Sequence, residues 1–475
     1  MVIEWTGLGP ELLLQLDRDG ADTLGAQLQS QLRDAVQTGR LAAGEKLPST
    51  RALAAELGVS RGLVVECYAQ LEAEGYLDSR SGSATRVSAC AAGSPAGSAS
   101  ELAPSSQLLV DFRYGAADVG AFPMRDWLWA LGEAAKESPY ATLTNDEHAG
   151  IAQLREVAAA YVRRVRGTAC EASNVVVTNG FGQGLDVVTS ALAERGIGTV
   201  AVEDPGLLET GRVIARAGCR TVAVPVDERG LVVARLAATG ARAVLVTPAH
   251  QCPTGVALAA ERRQELIAWA HDCDGYVIED DYDVEFRYDR QPIGSLQGLA
   301  PDRVFAITSM SKALAPGLRL GWVVAPPALV DDVARHKELA DRGTSGFDQS
   351  ALAHLIRSGR FDRHVRRMRA VYGARRDALL AAVAENAPQV RVSGLAAGFH
   401  AVFHLPDGVT ETAVTAGARQ RGVGLYGMSG FRDDGSTEPE QLLVGFGGVS
   451  DSAVRRGIET VADLLVGTPA GRNVR

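Results

Sequence analysis

Apolar positions in residues 24–38 recur with a helical period: Leu24, Leu28, Leu32, Ala35 and Val36 share one face, and Gly39 stops the run. A second short helix is predicted after LAAGEKLP, with Ser49 as N-cap, Leu53 and Leu57 as the buried stripe and Gly58 as C-cap. Val59-Ser60 then turns the chain into a third helix, capped by Ser60, whose Val64, Tyr68 and Leu71 face inward. Two short runs around Ser81-Gly82-Ser83, flanked by Arg80 and Arg86, predict a β-hairpin. Three helices and a hairpin make a winged helix-turn-helix. Residues 89–107, rich in Ala, Gly, Ser and Pro, hold too little apolar surface for a core and predict a flexible linker.

From Leu108 the pattern changes. VVVT (175–178), TVAVED (199–204), TVAVPV (221–226), AVLVTP (243–248), YVIED (276–280) and RVFAIT (303–308) read as strands buried on both faces. Helical stretches such as QLREVAAAYVRRV and ERRQELIAWAHD separate several of them, which predicts a largely parallel sheet in an α/β architecture. Beyond about residue 330, long helices alternate with HAVFHL and LLVGFG, a second, smaller unit. The expected organisation is a winged helix at 1–88, a linker at 89–107 and an α/β domain at 108–475, its large part about 145–330 and its small part about 331–475.

Composition changes this picture little. The chain has 475 residues, 46% apolar and 22% charged, as globular proteins do. No apolar run spans a membrane and the first residues lack a basic signal region, so no membrane partner or export is expected. Six scattered cysteines (Cys67, Cys90, Cys170, Cys219, Cys252 and Cys273) argue against a disulfide framework or a metal site and for a reducing cytoplasm. The net charge of −9 does not advertise nucleic-acid binding. Within residues 24–88 seven Lys/Arg balance seven Asp/Glu, so DNA contacts must come from local placement. Ser60, Arg61 and Gly62 at the start of the third helix can reach a major groove, Arg51 can touch the backbone, and Gly82 and Ser83 sit at the wing tip.

The chemistry gathers just past the strand ends, where open parallel sheets place their ligands. VVVT is followed by Gly180-Phe181-Gly182, a turn able to offer backbone N–H groups to a phosphate, and AVLVTP by His250 and Gln251. YVIE is followed by Asp280 and Tyr282, and RVFAIT by Ser309, Ser311, Lys312 and Arg319. A phosphate nest, a carboxylate, a tyrosine and a lysine are what pyridoxal 5'-phosphate requires. The lysine makes the Schiff base, the carboxylate keeps the ring nitrogen protonated and the hydroxyl bonds the phenolate oxygen. The ring cation and Arg319 are expected to favour the neutral Lys312 amine.

Residues 24–88 closely resemble the GntR-type winged helix, through GRLAAGEKLPSTRALAAELGVSRGLVVECYAQLEAEGYLDSRSGSATRV. Residues 108–475 resemble a fold-type I, class I/II aminotransferase domain, through SMSKALAPGLRLGW, IEDDYDVEFRY and TPAHQCPTG. The fusion resembles the MocR family of regulators. The resemblance implies operator DNA binding, Lys312 as Schiff-base lysine, Asp280 at the pyridine nitrogen and Tyr282 at the phenolate oxygen. It places Ser309, Ser311, Arg319 and the Gly180–Gly182 turn around the phosphate and His250 or Gln251 near the ring. It further implies a head-to-tail homodimer and an amine or amino-acid effector, or the cofactor itself, as the signal.

Two positions depart from that pattern. An aromatic often follows the Pro-Gly after TVAVED, where this chain has Leu207, and the arginine expected before a strand ending in Phe is Leu443 in QLLVGFG. Arg432 is then the candidate for an effector carboxylate. Cys252 reads as a packing residue, His271-Asp272-Cys273 as surface, and Arg363-His364-Arg366-Arg367-Arg369 as a solvated helix face. The expected function is a PLP-dependent transcriptional regulator; a working aminotransferase with an incidental DNA-binding module and a regulator with an inert scaffold are the alternatives.

Overall fold

The computed structural model describes residues 14–78, 84–88, 108–137, 147–288 and 293–467. They fall into two compact units that divide between Ser105 and Ser106. In the first, α1 (Leu24–Gln37), α2 (Thr50–Leu57) and α3 (Arg61–Ala73) precede an antiparallel pair, β1 (Leu77–Asp78) and β2 (Arg86–Val87). Thr23, Ser49 and Ser60 cap the three helices with their side chains, and Gly58 closes α2 at φ 63°. Leu28, Leu32, Leu53, Val64, Leu71 and Leu77 share one core. A bridge from Lys46 to Arg86 extends the wing.

The second unit opens with β3 (Val110–Asp111), α4 (Met124–Glu137), α5 (Ala152–Arg166) and β4 (Val175–Thr178). It continues with α6 (Phe181–Glu194), β5 (Thr199–Asp204), α7 (Glu209–Arg216), β6 (Arg220–Asp227), β7 (Gly230–Leu231) and β8 (Ala243–Val246). Then come α8 (Ala260–Asp272), β9 (Tyr276–Asp281), β10 (Val304–Ser309) and β11 (Gly321–Val324). Strands β4 to β11 form one sheet in the order β4-β11-β10-β9-β8-β5-β6-β7. The central ladders are parallel, but β11 runs antiparallel to both neighbours. That reversal positions chemistry. Ser309 pairs with Gly321, so the intervening residues, Lys312 and Arg319 among them, are folded back onto the carboxyl end of β10. The β6 strand is more exposed than its apolar pattern predicts, because it lies near the sheet edge beside only the short β7.

The remainder comprises α9 (Val330–Asp341), α10 (Gly346–Arg357), α11 (Arg360–Asn386), β12 (Arg391–Ser393), β13 (His400–His404) and α12 (Glu411–Gln420). It ends with β14 (Val423–Gly424), β15 (Tyr426–Gly427), β16 (Gln441–Gly445) and α13 (Asp451–Val466). A small antiparallel sheet runs β12-β13-β16-β15. The expected division near residue 331 does not follow the packing. Helix α9 lies against α6 and α10 against α5, both of the large part, and α10 also packs on α4, while β3 pairs in parallel with β14 of the small part. No helix among the described residues is long and apolar enough to cross a membrane.

Candidate cofactor site and DNA-binding module

A cavity of about 270 Å3 opens where the carboxyl ends of β9 and β10 meet the start of α6. Phe181, Gly182, Asp280, Tyr282, Lys312 and Arg319 line it, together with Ser309 and Ser311. The tight turn into α6 depends on glycine. Gly180 sits at φ 91°, and a Cβ there would lie 3.3 Å from the Arg319 guanidinium. Arg319 donates to the Asn179 carbonyl, which holds its positive charge beside the free N–H groups opening α6. Ser309 donates to the Ser311 hydroxyl at 2.9 Å. Two hydroxyls, helix N–H groups and a guanidinium together suit a phosphate.

Lys312 donates to the Gly115 carbonyl. Burial pulls its ammonium below the usual lysine range, with Cys252, Asp283 and Asp280 pulling the other way. Burial, not Arg319, is the influence that favours the neutral amine a Schiff base needs. At the end of β9, Asp280 is buried, and its Oδ1 has no hydrogen-bond partner among the described residues. Burial, then Asp281 and Asp283, hold its carboxyl well above the ordinary range. An orphaned carboxyl of this kind fits a cationic ring N–H, which would restore its charge. Burial likewise keeps the Tyr282 phenol protonated and able to donate.

The residues therefore fit pyridoxal phosphate. Lys312, Asp280 and Tyr282 match its aldehyde, ring nitrogen and phenolate, and the α6 turn with Ser309, Ser311 and Arg319 matches its phosphate.

Residues 24–87 match the family described as bacterial regulatory proteins of the gntR family, and residues 116–457 match aminotransferase class I and II. The chain is 31% identical to the probable rhizopine catabolism regulatory protein MocR of Rhizobium meliloti, covering 96% of each chain. It is 32% identical to the HTH-type pyridoxine biosynthesis transcriptional regulator PdxR of Corynebacterium glutamicum, covering 96% of this chain and 99% of that one. This chain belongs to the MocR family of HTH-type transcriptional regulators. Among solved structures, a Pyrococcus horikoshii kynurenine aminotransferase superposes with a TM-score of 0.69 at 25% identity, over 76% of this chain and 91% of its own. The cofactor of this chain is pyridoxal phosphate, and its gntR-type module binds DNA.

Several expected residues stand elsewhere. His250 and Gln251 do not line the cavity. His250 stands behind Tyr282, its Nδ1 3.0 Å from the Tyr282 hydroxyl and 2.7 Å from Asp283. Burial disfavours its charge, but Asp283 outweighs burial and raises it above the usual histidine value. The ligand atoms of His250, Asp283 and His400 lie within 4.8 Å of one another. Gln251 is spent on backbone, donating to the carbonyls of Cys252 at 2.8 Å and Pro205 at 2.9 Å and accepting from the Thr254 N–H. Arg432 is also tied down, donating to the carbonyls of Ser436 and Pro439 and to Gln441 Oε1. The arginine-rich run is not simply a solvated face: His364 is buried at 2.9 Å from the Ala313 carbonyl, and Arg369 donates to the Glu285 carbonyl. Gly115, Tyr114, Glu209 and Asp283 join or flank the site without any motif that singles them out.

In the winged helix, Arg51, Ser60, Arg61 and Gly62 are exposed, and neither arginine is hydrogen-bonded or ion-paired among the described residues. Ser60 already accepts from the Leu63 N–H at 3.2 Å, leaving its O–H to donate outward. Gly82 and Ser83 lie outside the described residues.

Proposed function

We propose that this regulator reads an amine-bearing ligand, or pyridoxal phosphate itself, at Lys312 and reports it through operator binding by a homodimer. The observation that carries this is the orphaned Asp280 carboxyl in the cavity that also holds the Lys312 amine. When bound, pyridoxal phosphate supplies a carbonyl carbon that forms a C=N bond with a primary amine. Lys312 would hold that carbon, and a ligand amine entering the cavity would compete with the Lys312 amine for it. A ligand that displaced Lys312 would leave its side chain free, and a difference in DNA affinity between the two arrangements would shift the operator-binding equilibrium. Arg61 and the Ser60 hydroxyl at the start of α3 serve base edges and phosphates, with Arg51 on the backbone. The head-to-tail dimer supplies two half-sites, and the work is done in the cytoplasm.

The aminotransferase reading is weaker, because position 443 is leucine and Arg432 is tied to its own loop, which leaves Arg319, at the phosphate end, as the one guanidinium among the described cavity residues. The test is the visible absorption of the cofactor-loaded protein. Lys312→Ala should lose the Schiff-base band while keeping its fold, and a retained band would remove the central assignment.

A further inference from the structure

The cavity around Lys312 has a second wall, built by Tyr114, Leu207 and Glu209, that the cofactor residues leave unused. Tyr114 and Leu207 pack on an apolar cluster of Val402, Met428, Phe431 and Leu443, with the Tyr114 and Phe431 rings edge to face at 4.8 Å. Glu209 is the first residue of α7, where the helix dipole favours an anion. It is exposed, and among the described residues it has no hydrogen bond or ion pair. Its charge, after burial, raises the Tyr114 hydroxyl above the usual tyrosine range, so it acts on this wall.

The basic groups among the described lining residues are Lys312, Arg319 and His400; Arg319 belongs to the phosphate end, and burial holds the His400 imidazole well below the usual histidine value. A ligand carboxylate on the second wall would meet apolar side chains and a like charge, losing its hydration without a partner. A methylene chain ending in an ammonium suits both features, with carbon against Leu207 and Tyr114 and charge against Glu209.

We propose that the ligand read at this site is a short diamine without a carboxylate, one amine directed to Lys312 and the other held by Glu209. This rests on the amine-sensing reading above. The test titrates full-length, cofactor-loaded protein with putrescine, n-butylamine and gamma-aminobutyrate, matched in chain length, and follows visible absorbance and heat of binding. Putrescine should bind about ten-fold more tightly than n-butylamine, the scale of one charge-assisted hydrogen bond, and gamma-aminobutyrate more weakly than either. Glu209→Gln should load cofactor normally yet lose the putrescine preference, and Glu209→Arg should shift it toward gamma-aminobutyrate. Equal or tighter binding of gamma-aminobutyrate by the unaltered protein, or an unchanged preference in Glu209→Gln, overturns the diamine assignment and leaves amine sensing in place. Silence toward all three amines by protein that carries the cofactor overturns both.

Discussion

The Lys312 side-chain amine donates a hydrogen bond to the backbone carbonyl of Gly115, 197 residues earlier in the chain. Gly115 follows β3, which is itself paired with β14, so the lysine is tied to the segment through which the chain enters this unit. The contact requires glycine: φ is 65°, and a Cβ would lie 3.0 Å from the Lys312 Nζ.

Gly115→Ala should therefore displace the amine and strain the backbone by roughly 1–2 kcal/mol, which corresponds to about a ten-fold loss in cofactor affinity. Absorbance titration with pyridoxal phosphate measures it. Unchanged affinity would separate Gly115 from the positioning of Lys312.

Asp280 should show function opposed to stability. A buried carboxyl oxygen without a partner destabilises the cofactor-free fold, so Asp280→Ala should raise its thermal stability by about 1–3 kcal/mol. The same change should weaken cofactor binding at least ten-fold. Calorimetric melting with and without pyridoxal phosphate reads both signs, and a loss of stability in the cofactor-free protein would count against the orphaned carboxyl.

Beneath that residue, Arg166 is buried and makes paired hydrogen bonds to Asp281 at 2.6 and 2.7 Å, with Glu279 3.7 Å away. Arg166→Met should leave the buried Asp281 carboxylate without its counter-ion and cost about 3–5 kcal/mol. Denaturant unfolding of the two proteins at neutral pH gives the difference, and a cost under about 1 kcal/mol would assign the pair a surface-like role.

Glu285 sets a pH dependence. Burial raises its carboxyl from 4.5 to about 7, although the Tyr161 hydroxyl donates to it at 3.1 Å. The folded state thus holds this proton more tightly than the unfolded state. The stability is fully present below pH 4.5 and is lost as pH rises through about 7. Glu285→Gln keeps an acceptor for Tyr161 and has no proton to lose. Unfolding free energies should agree near pH 4.5 and favour the variant by about 3 kcal/mol above pH 7. Parallel pH profiles would contradict the assignment.

What the sequence made legible was local. Ser49, Gly58 and Ser60 act within a few residues, so the caps of the winged helix could be read directly. The cofactor residues were legible because each follows a strand recognisable by its apolar run. The β3–β14 pairing was not, since two-residue strands far apart in sequence carry no periodicity. Arg166 ends an amphipathic helix among other arginines, and only the tertiary fold separates it from its solvated neighbours. Arg432 and Gln251 have suitable chemistry, but their hydrogen bonds are consumed by backbone, those of Arg432 within its own loop and those of Gln251 at Cys252 and Pro205. Glu209 looks like any helix-opening acid until the cavity shows what it faces.

The central claim is that the Lys312 site and the winged helix are coupled. The direct measurement is the affinity of full-length, cofactor-loaded protein for an operator selected from a random-sequence pool, with and without putrescine. The amine should change that affinity at least ten-fold, a coupling of about 1.4 kcal/mol. The change should vanish in Lys312→Ala, and Arg61→Ala should weaken binding under both conditions. Operator affinity that ignores both the amine and Lys312→Ala would contradict the account.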